Sequence, residues 1–227
     1  SKPEGKPGLE YLKSRQLRPA TIRHFGLGYA LPGWDNLKNY LLRKGYTEQE
    51  LVAADVVKRG RKGGLYDSFR NRVMFPIIDI RGNVIAFGGR VLDDSKPKYL
   101  NTNDTVVYKK SRNLFAFGFA KAAGKRKLIL TEGYMDTIAV HAAGFENAVA
   151  TCGTALTAEQ ARMIAGIADE VIIAYDSDGP GQAATRRAMN ILSQAGLTSR
   201  VLKMEGAKDP DEYIKKFGAA RFGVLLD

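Results

Sequence analysis

Residues 171–181 read Val-Ile-Ile-Ala-Tyr-Asp-Ser-Asp-Gly-Pro-Gly. The apolar, β-branched run from Val171 to Tyr175 predicts a short strand buried on both faces, and it stops at two carboxylates, Asp176 and Asp178. Gly179, Pro180 and Gly181 are expected to break the strand. From Gln182 to Ala195 apolar residues recur at helical spacing, with Arg186 and Arg187 on the other face. Strand, turn and returning helix are the unit of a parallel sheet, whose strands present their carboxyl ends along one ligand-binding edge. Two acids at i and i+2 just past a strand end converge on one point. They repel unless one takes a proton or a cation holds both, and hard oxygen donors suit Mg²⁺ or Mn²⁺. Read alone, the same stretch also makes a good turn with no further purpose.

Working outward, the pattern repeats on both sides. Leu128 to Leu130, Asn147 to Ala150 and Ser199 to Met204 read as further strands, alternating with helices at Tyr134 to Ala143, Thr157 to Ala168 and Pro210 to Phe217. Such β/α alternation with short loops marks a three-layer α/β fold, and right-handed crossovers put every strand's carboxyl end on one edge. Glu132 closes the first of these strands and Asp136 lies one turn into the next helix. Asp209 and Asp211 follow the last strand. Three of four strands thus bring acids to one edge, and six acids there demand a counter-charge that divalent cations supply. Asp136 and Asp211 also fit as favourable charges at helix N-termini, with or without direct metal contact.

The 227 residues carry a net charge of +11, divided unevenly. Residues 1–127 hold 26 Lys and Arg against 11 Asp and Glu, and residues 128–227 hold 9 against 13. So strong a basic half suits a polyanionic partner. Cys152 is the only cysteine, which excludes disulfides and cysteine zinc sites within the chain, and His24 and His141 are too few for histidine metal chemistry. With no membrane-length apolar stretch and no signal peptide, the expectation is a soluble, cytoplasmic protein.

Residues 1–8, rich in Pro, Gly and Lys, read as a linker. Helices are expected from Leu9, from Pro19, over Trp34 to Lys44 and over Thr47 to Ala54, the last opened by a Thr47/Glu50 capping box. Residues 58–64 read as a flexible basic loop. Val73 to Ile80 and Val84 to Phe87, separated by Arg81-Gly82-Asn83, read as a β-hairpin. Residues 97–101 and 108–112 set aromatics beside bases, a combination that stacks nucleobases while pairing phosphates.

Thr-Glu-Gly-Tyr-Met-Asp (131–136), Tyr-Asp-Ser-Asp-Gly-Pro-Gly (175–181) and Lys-Asp-Pro-Asp-Glu (208–212) together resemble the three acidic motifs of the TOPRIM domain, in the form found in DnaG-type bacterial primases. Residues 66–77, 82–91, 98–101 and 109–112 resemble the amino-terminal subdomain of that primase core. The resemblance implies a TOPRIM Rossmann-like sheet over residues 126–214, preceded by a mixed α+β basic subdomain over 9–125 and followed by the start of a C-terminal helical subdomain at 215–227. It implies a nucleotidyltransferase, a DNA-directed RNA polymerase that makes primers from ribonucleoside triphosphates on single-stranded DNA during replication. Glu132, Asp176 and Asp178 would be the core catalytic and metal-site acids, with Asp136, Asp209 and Asp211 completing the cluster around two or more Mg²⁺ ions, which Mn²⁺ can replace. Arg90, Lys98, Asn101 and Lys110 would meet nucleotide phosphates, and Arg15, Arg70, Arg72, Lys109 and Arg112 would meet DNA. The lone Cys152 implies that the zinc-binding domain of such primases is outside this chain, which reads as an excised core. A replicative helicase would be met through a further C-terminal domain.

Rival readings fare less well. A topoisomerase on the same acidic fold needs a tyrosine nucleophile on another domain, and a nuclease remains open. An aspartyl phosphotransferase needs a threonine shortly after Asp176 and Asp178, where Gly179, Pro180 and Gly181 stand. A non-enzymatic nucleic-acid-binding module is permitted by the basic half alone but leaves the acids unexplained.

Overall fold

The basic half forms an antiparallel sheet flanked by short helices. The computed structural model describes residues 2–61 and 63–227; Ser1 of the expected linker and Lys62 of the expected basic loop lie outside the described residues. The chain divides into two compact units, the first running to Ile77 and including Val84–Lys109, the second comprising Ile78–Asn83 and Lys110–Asp227.

The first unit opens with α1 (Lys6–Ser14), so Lys6, Pro7 and Gly8 are helical rather than linker; Pro7 sits in the first turn, where its missing N–H costs nothing. There follow α2 (Pro19–His24), β1 (Gly28–Ala30), α3 (Asn36–Arg43) and α4 (Glu48–Ala53), the last with the expected Thr47/Glu50 capping box. Of the expected basic loop, Lys58 and Arg59 lie in β2 (Val57–Arg59), which pairs with β3 (Leu65–Asp67), and none of the described residues between the two strands is strand. β4 (Arg72–Ile78), β5 (Val84–Val91) and β6 (Tyr99–Asn101) complete a sheet of order β1-β4-β5-β6. β5 continues past the expected Phe87 because Gly88, Gly89 and Arg90 pair with Asn101, Leu100 and Tyr99. A Cβ at Gly89 would lie 2.7 Å from the Phe69 ring, so a side chain there would force that ring to shift.

Two buried charges hold this unit together. Asp67, 2 % exposed, accepts from the backbone N–H groups of Leu37 (2.7 Å) and Lys38 (2.8 Å), tying β3 to the amino end of α3. Arg72, 7 % exposed, donates to the carbonyls of Gly89 (3.0 Å), Pro97 (3.0 Å) and Lys98 (3.3 Å). Burial, then the neighbouring Arg70, pull its pKa below the ordinary arginine value, with Asp93 opposing. Arg72, expected to meet DNA, thus commits three hydrogen bonds to the backbone of β5 and of the turn that precedes β6.

The second unit contains β7 (Leu114–Phe115), α5 (Phe117–Ala122), β8 (Lys127–Thr131), α6 (Tyr134–Ala142), β9 (Ala148–Thr151), α7 (Ala158–Ala165), β10 (Glu170–Ala174), α8 (Gly179–Gln194), β11 (Thr198–Val201) and α9 (Pro210–Leu226). The sheet order is β11-β10-β8-β9-β7, parallel except for β7, which runs antiparallel to β9. The period of two sorts its side chains into two cores. Leu128, Leu130, Val171 and Ile173 pack with Ile164 and Leu192 on one face, while Ile129, Ile172 and Ala174 pack with Val140, Tyr213 and Phe222 on the other. α9 is interrupted at Gly218 (φ +85°, ψ 162°), directly after the expected end at Phe217, and a second helical stretch continues to Leu226. Among the described residues no helix is long and apolar enough to cross a membrane.

Replacing Arg72 by Met keeps the aliphatic stem and removes the guanidinium that bridges the carbonyls of Gly89, Pro97 and Lys98, of which Lys98 O still accepts from Val91 N. The expected loss is roughly 2–4 kcal/mol in thermal or denaturant unfolding; an unchanged melting curve would mean water replaces the guanidinium at no cost.

Candidate functional site

The acids gather where strands β8, β10 and β11 give way to helices. Glu132 follows β8, Asp176 and Asp178 follow β10, and Asp209 precedes α9. Gly179-Pro180-Gly181 does not break the chain before a helix at Gln182. It is the first turn of α8 itself, with Pro180 in a position needing no N–H, and Asp178 is the N-cap, its Oδ1 accepting from Gly181 N at 2.8 Å. Asp209 caps α9 in the same way, accepting from Glu212 N at 2.8 Å. Ser177 N donates to Lys208 O at 2.9 Å, joining the two acidic loops.

Glu132 Oε1 accepts from Asp176 N at 3.3 Å. Its pKa is raised, first by burial, then by the charge of Asp176, with Asp178 adding to it. Gly181 permits this approach. A Cβ there would lie 2.1 Å from Asp176 O and 3.0 Å from Glu132 Oε1, so no other residue fits unless the loop moves. Asp136, in the first turn of α6, shows the strain of the cluster most clearly. Burial and the charges of Asp209, Asp176 and Asp211 push its pKa up to about 8, against a hydrogen bond from the Asp211 backbone that favours the carboxylate. Asp211 is 3 % exposed and accepts from Lys215 Nζ at 2.8 Å. The Tyr175 hydroxyl is pushed well above its ordinary value by burial and by Glu132.

Among the described residues no three acid, histidine or cysteine side chains close up as a ready-made metal cage. The donor set still fits hard divalent cations. All six side chains are carboxylates, burial and then the charges of Asp209, Asp176 and Asp211 raise the Asp136 pKa, and Mg²⁺ keeps several of its own waters instead of demanding an all-protein cage.

The basic residues fall into distinct settings. Lys110 and Arg112 form a 3₁₀ turn in the second unit. α7 holds that turn, Gln160 Nε2 donating to the carbonyls of Lys110 (2.9 Å) and Asn113 (2.8 Å) and Thr157 Oγ1 to Ser111 O (2.7 Å). In the first unit Lys98 is exposed on the turn that Arg72 braces, Asn101 is half-buried in β6, and Lys109 lies 3.8 Å from Asp104. Arg15 ends α1, and Arg90 lies over the Tyr11 ring at 4.5 Å. Arg70 lies over the Trp34 ring at 4.1 Å and the Tyr66 ring at 5.2 Å, and donates to Asp67 O. Trp34 is 64 % exposed. This aromatic and guanidinium platform was not read from the sequence, where Trp34 served only to start a helix; the signal available was the chain's single tryptophan, set in its basic half.

A family model described as the N-terminal domain of the DNA primase catalytic core matches residues 1–121, and a Toprim-like model matches residues 129–214. The DNA primase of Clostridium acetobutylicum is 47 % identical over 219 residues, covering 96 % of this chain and 37 % of that protein. A DnaG primase catalytic domain bound to single-stranded DNA is 35 % identical with a TM-score of 0.90, over 100 % of this chain and 72 % of that one. The RNA polymerase domain of Mycobacterium tuberculosis primase DnaG is 36 % identical with a TM-score of 0.90, over 100 % of this chain and 77 % of that one. The chain spans little more than a third of the length of the curated relatives it matches.

The raised pKa of Asp136 makes the metal-free protein's stability depend on pH. The folded state keeps a proton that the unfolded state releases near 4, so this group's effect is absent at low pH and increasingly destabilising as pH rises toward about 8. Asp136→Asn should therefore stabilise the chelator-treated protein by on the order of 2 kcal/mol more at pH 8 than at pH 5, an advantage that shrinks when Mg²⁺ is added. Equal melting shifts at both pH values would show that Asp136 is ionised throughout.

Proposed function

Because this chain belongs to the DNA primase catalytic-core family, an N-terminal core domain joined to a Toprim-like domain, we propose that it catalyses DNA-templated joining of ribonucleotides into short primers. What carries the reading is the convergence of carboxylates around Asp136, a charge excess that makes chemical sense where cations and a nucleoside triphosphate are bound together. In the reaction the 3′ oxygen of the preceding nucleotide forms a bond to the α-phosphorus of the incoming triphosphate, the bond to the β-phosphate's bridging oxygen breaks, and pyrophosphate leaves.

Glu132, Asp176 and Asp178 are the acids proposed to hold Mg²⁺ directly, with Asp136, Asp209 and Asp211 as further donors or water-bridged neighbours. Cations held by these acids would supply a lowered pKa for the attacking hydroxyl and neutralisation of charge on the phosphates. The chain's own residues do the rest. Asp178 and Asp209 each commit one oxygen to a helix N-terminus, which fixes the carboxylate's direction. Lys98, Asn101, Arg90 and Lys110 are proposed to neutralise and orient triphosphate oxygens. Arg15, Arg70, Lys109 and Arg112 are proposed to follow the template backbone, with Trp34 and Tyr66 adding stacking at Arg70. No side-chain nucleophile is needed.

Labelled ribonucleotide incorporation on single-stranded DNA with Mg²⁺ tests the chemistry. Glu132→Gln and Asp178→Asn should each lower the rate at least about 100-fold. Asn also caps helices well, so Asp178→Asn should leave the melting temperature nearly unchanged. DNA cleavage with no incorporation would favour a nuclease.

Binding of single-stranded DNA tests the basic unit separately. Trp34→Ala should weaken it about 5- to 10-fold without changing the salt slope, since stacking releases no counterions. A Lys or Arg that meets a phosphate should instead reduce that slope by about 0.7 when replaced by Ala. If Trp34→Ala and the parent bound alike, the platform would not touch the strand.

A further inference from the structure

The first unit contains an open cavity of about 500 Å³, within the roughly 300–1,000 Å³ range of small-molecule sites. Its walls are mostly rings and aliphatic side chains, Tyr29, Tyr40, Phe69 and Phe87 with Leu37 and Met74. Leu37 and Tyr40 remain 38 % and 49 % exposed, so the cavity is reached from solvent. One buried charge lines it: Asp67, whose two oxygens accept from Leu37 N and Lys38 N and retain further lone pairs. Arg43 supplies a cation in the lining.

The same chain segments build this cavity and the Trp34–Arg70–Tyr66 platform. Asn36 lies two residues after Trp34, Asp67 directly follows Tyr66, and Phe69 directly precedes Arg70. Asp67 N donates to Trp34 O at 2.7 Å, so the residue that carries the platform's indole adjoins the residue that carries the cavity's carboxylate. Aromatic faces for stacking, an acceptor for an amino or ring N–H, and a cation for phosphate are the features of a nucleotide site. We propose that the cavity receives one unstacked nucleobase of a single strand lying on Trp34 and Arg70, with the base's donor edge toward Asp67 and its backbone phosphate toward Arg43. The proposal rests on the single-strand reading of this unit and adds a base-sized site to it. Because Asp67 only accepts, the site favours bases that offer an amino group.

The test uses oligothymidylate with a single 2-aminopurine, bound to the whole chain, with fluorescence as the readout. The parent should quench 2-aminopurine strongly at one position of the oligonucleotide. Leu37→Trp, which fills the cavity from its exposed side, and Tyr40→Ala, which removes a wall, should each abolish that quenching. Replacing the reporting base by an abasic residue should lower affinity about 5-fold or more at that position alone. Quenching that survives both substitutions would place the base elsewhere and overturn the proposal, as would quenching of free 2-aminopurine riboside triphosphate by the cavity with none of the oligonucleotide. If the oligonucleotide bound and its fluorescence never changed, the cavity would be excluded while strand binding stood. Absence of strand binding would overturn both. Ribonucleotide incorporation, which depends on the acids of the second unit, reports separately on the polymerase reading.

Discussion

Each carboxylate brought to one sheet edge makes the ionisation of its neighbours more costly. At this edge the cost is borne chiefly by Asp136, whose proton is retained to about pH 8 because burial and three acidic neighbours act in the same direction. Glu132 is pushed the same way by burial, Asp176 and Asp178. A fold seeking stability alone would not keep this arrangement, since replacing one acid by an amide relieves it. The surrounding backbone is shaped to keep it nonetheless. Gly181 admits the Asp176 carbonyl where any side chain would collide, and the helix ends at Asp178 and Asp209 take one oxygen from each acid.

That last feature connects two explanations usually treated as rivals. An acid at a helix N-terminus is commonly complete as a cap, and Asp178 and Asp209 do cap α8 and α9. Capping uses one oxygen of two and restricts the rotamer, so the other oxygen points in a defined direction at low entropic cost. Capping and cation binding are therefore compatible for these two residues. For Asp211, held by Lys215, the charge is already partly compensated, which suits it better to supporting its neighbours than to holding an ion directly.

Much of the second unit was legible because periodicity and buried parallel strands leave a strong imprint: β8, β9, β10, α6 and α7 stand within a few residues of expectation. The misses have physical causes. β7 is two residues long and has no period to read, yet it pairs with β9 through Leu114 and Phe115 and forms the antiparallel edge of the sheet. Gly-Pro-Gly reads as a breaker, although a proline with a capping acid before it is equally a helix start. Gly218 interrupts the last helix directly after the expected Phe217, and what was not expected is the helical stretch beyond it, which packs Phe222 and Leu226 into the core. The acidic residues were found by position because strand ends are legible; their protonation was not, since it depends on contacts between three separate loops.

The basic unit was harder to read for a related reason. Arg70 and Arg72 are two residues apart on the approach to one strand and are indistinguishable by charge, yet one is stacked on exposed rings while the other is sealed among carbonyls. Burial sorts them into different work. Arg72 braces the turn that presents Lys98, whereas Arg70 keeps a face of its guanidinium on Trp34 and Tyr66, where a stacked base would add to an existing cation–π arrangement. Asp67 shows the same economy from the acidic side, since one buried carboxylate anchors α3 and still lines the adjoining cavity. A net positive charge therefore establishes that the unit suits a polyanion, while the distribution of buried and stacked charges determines which residues are available to meet one.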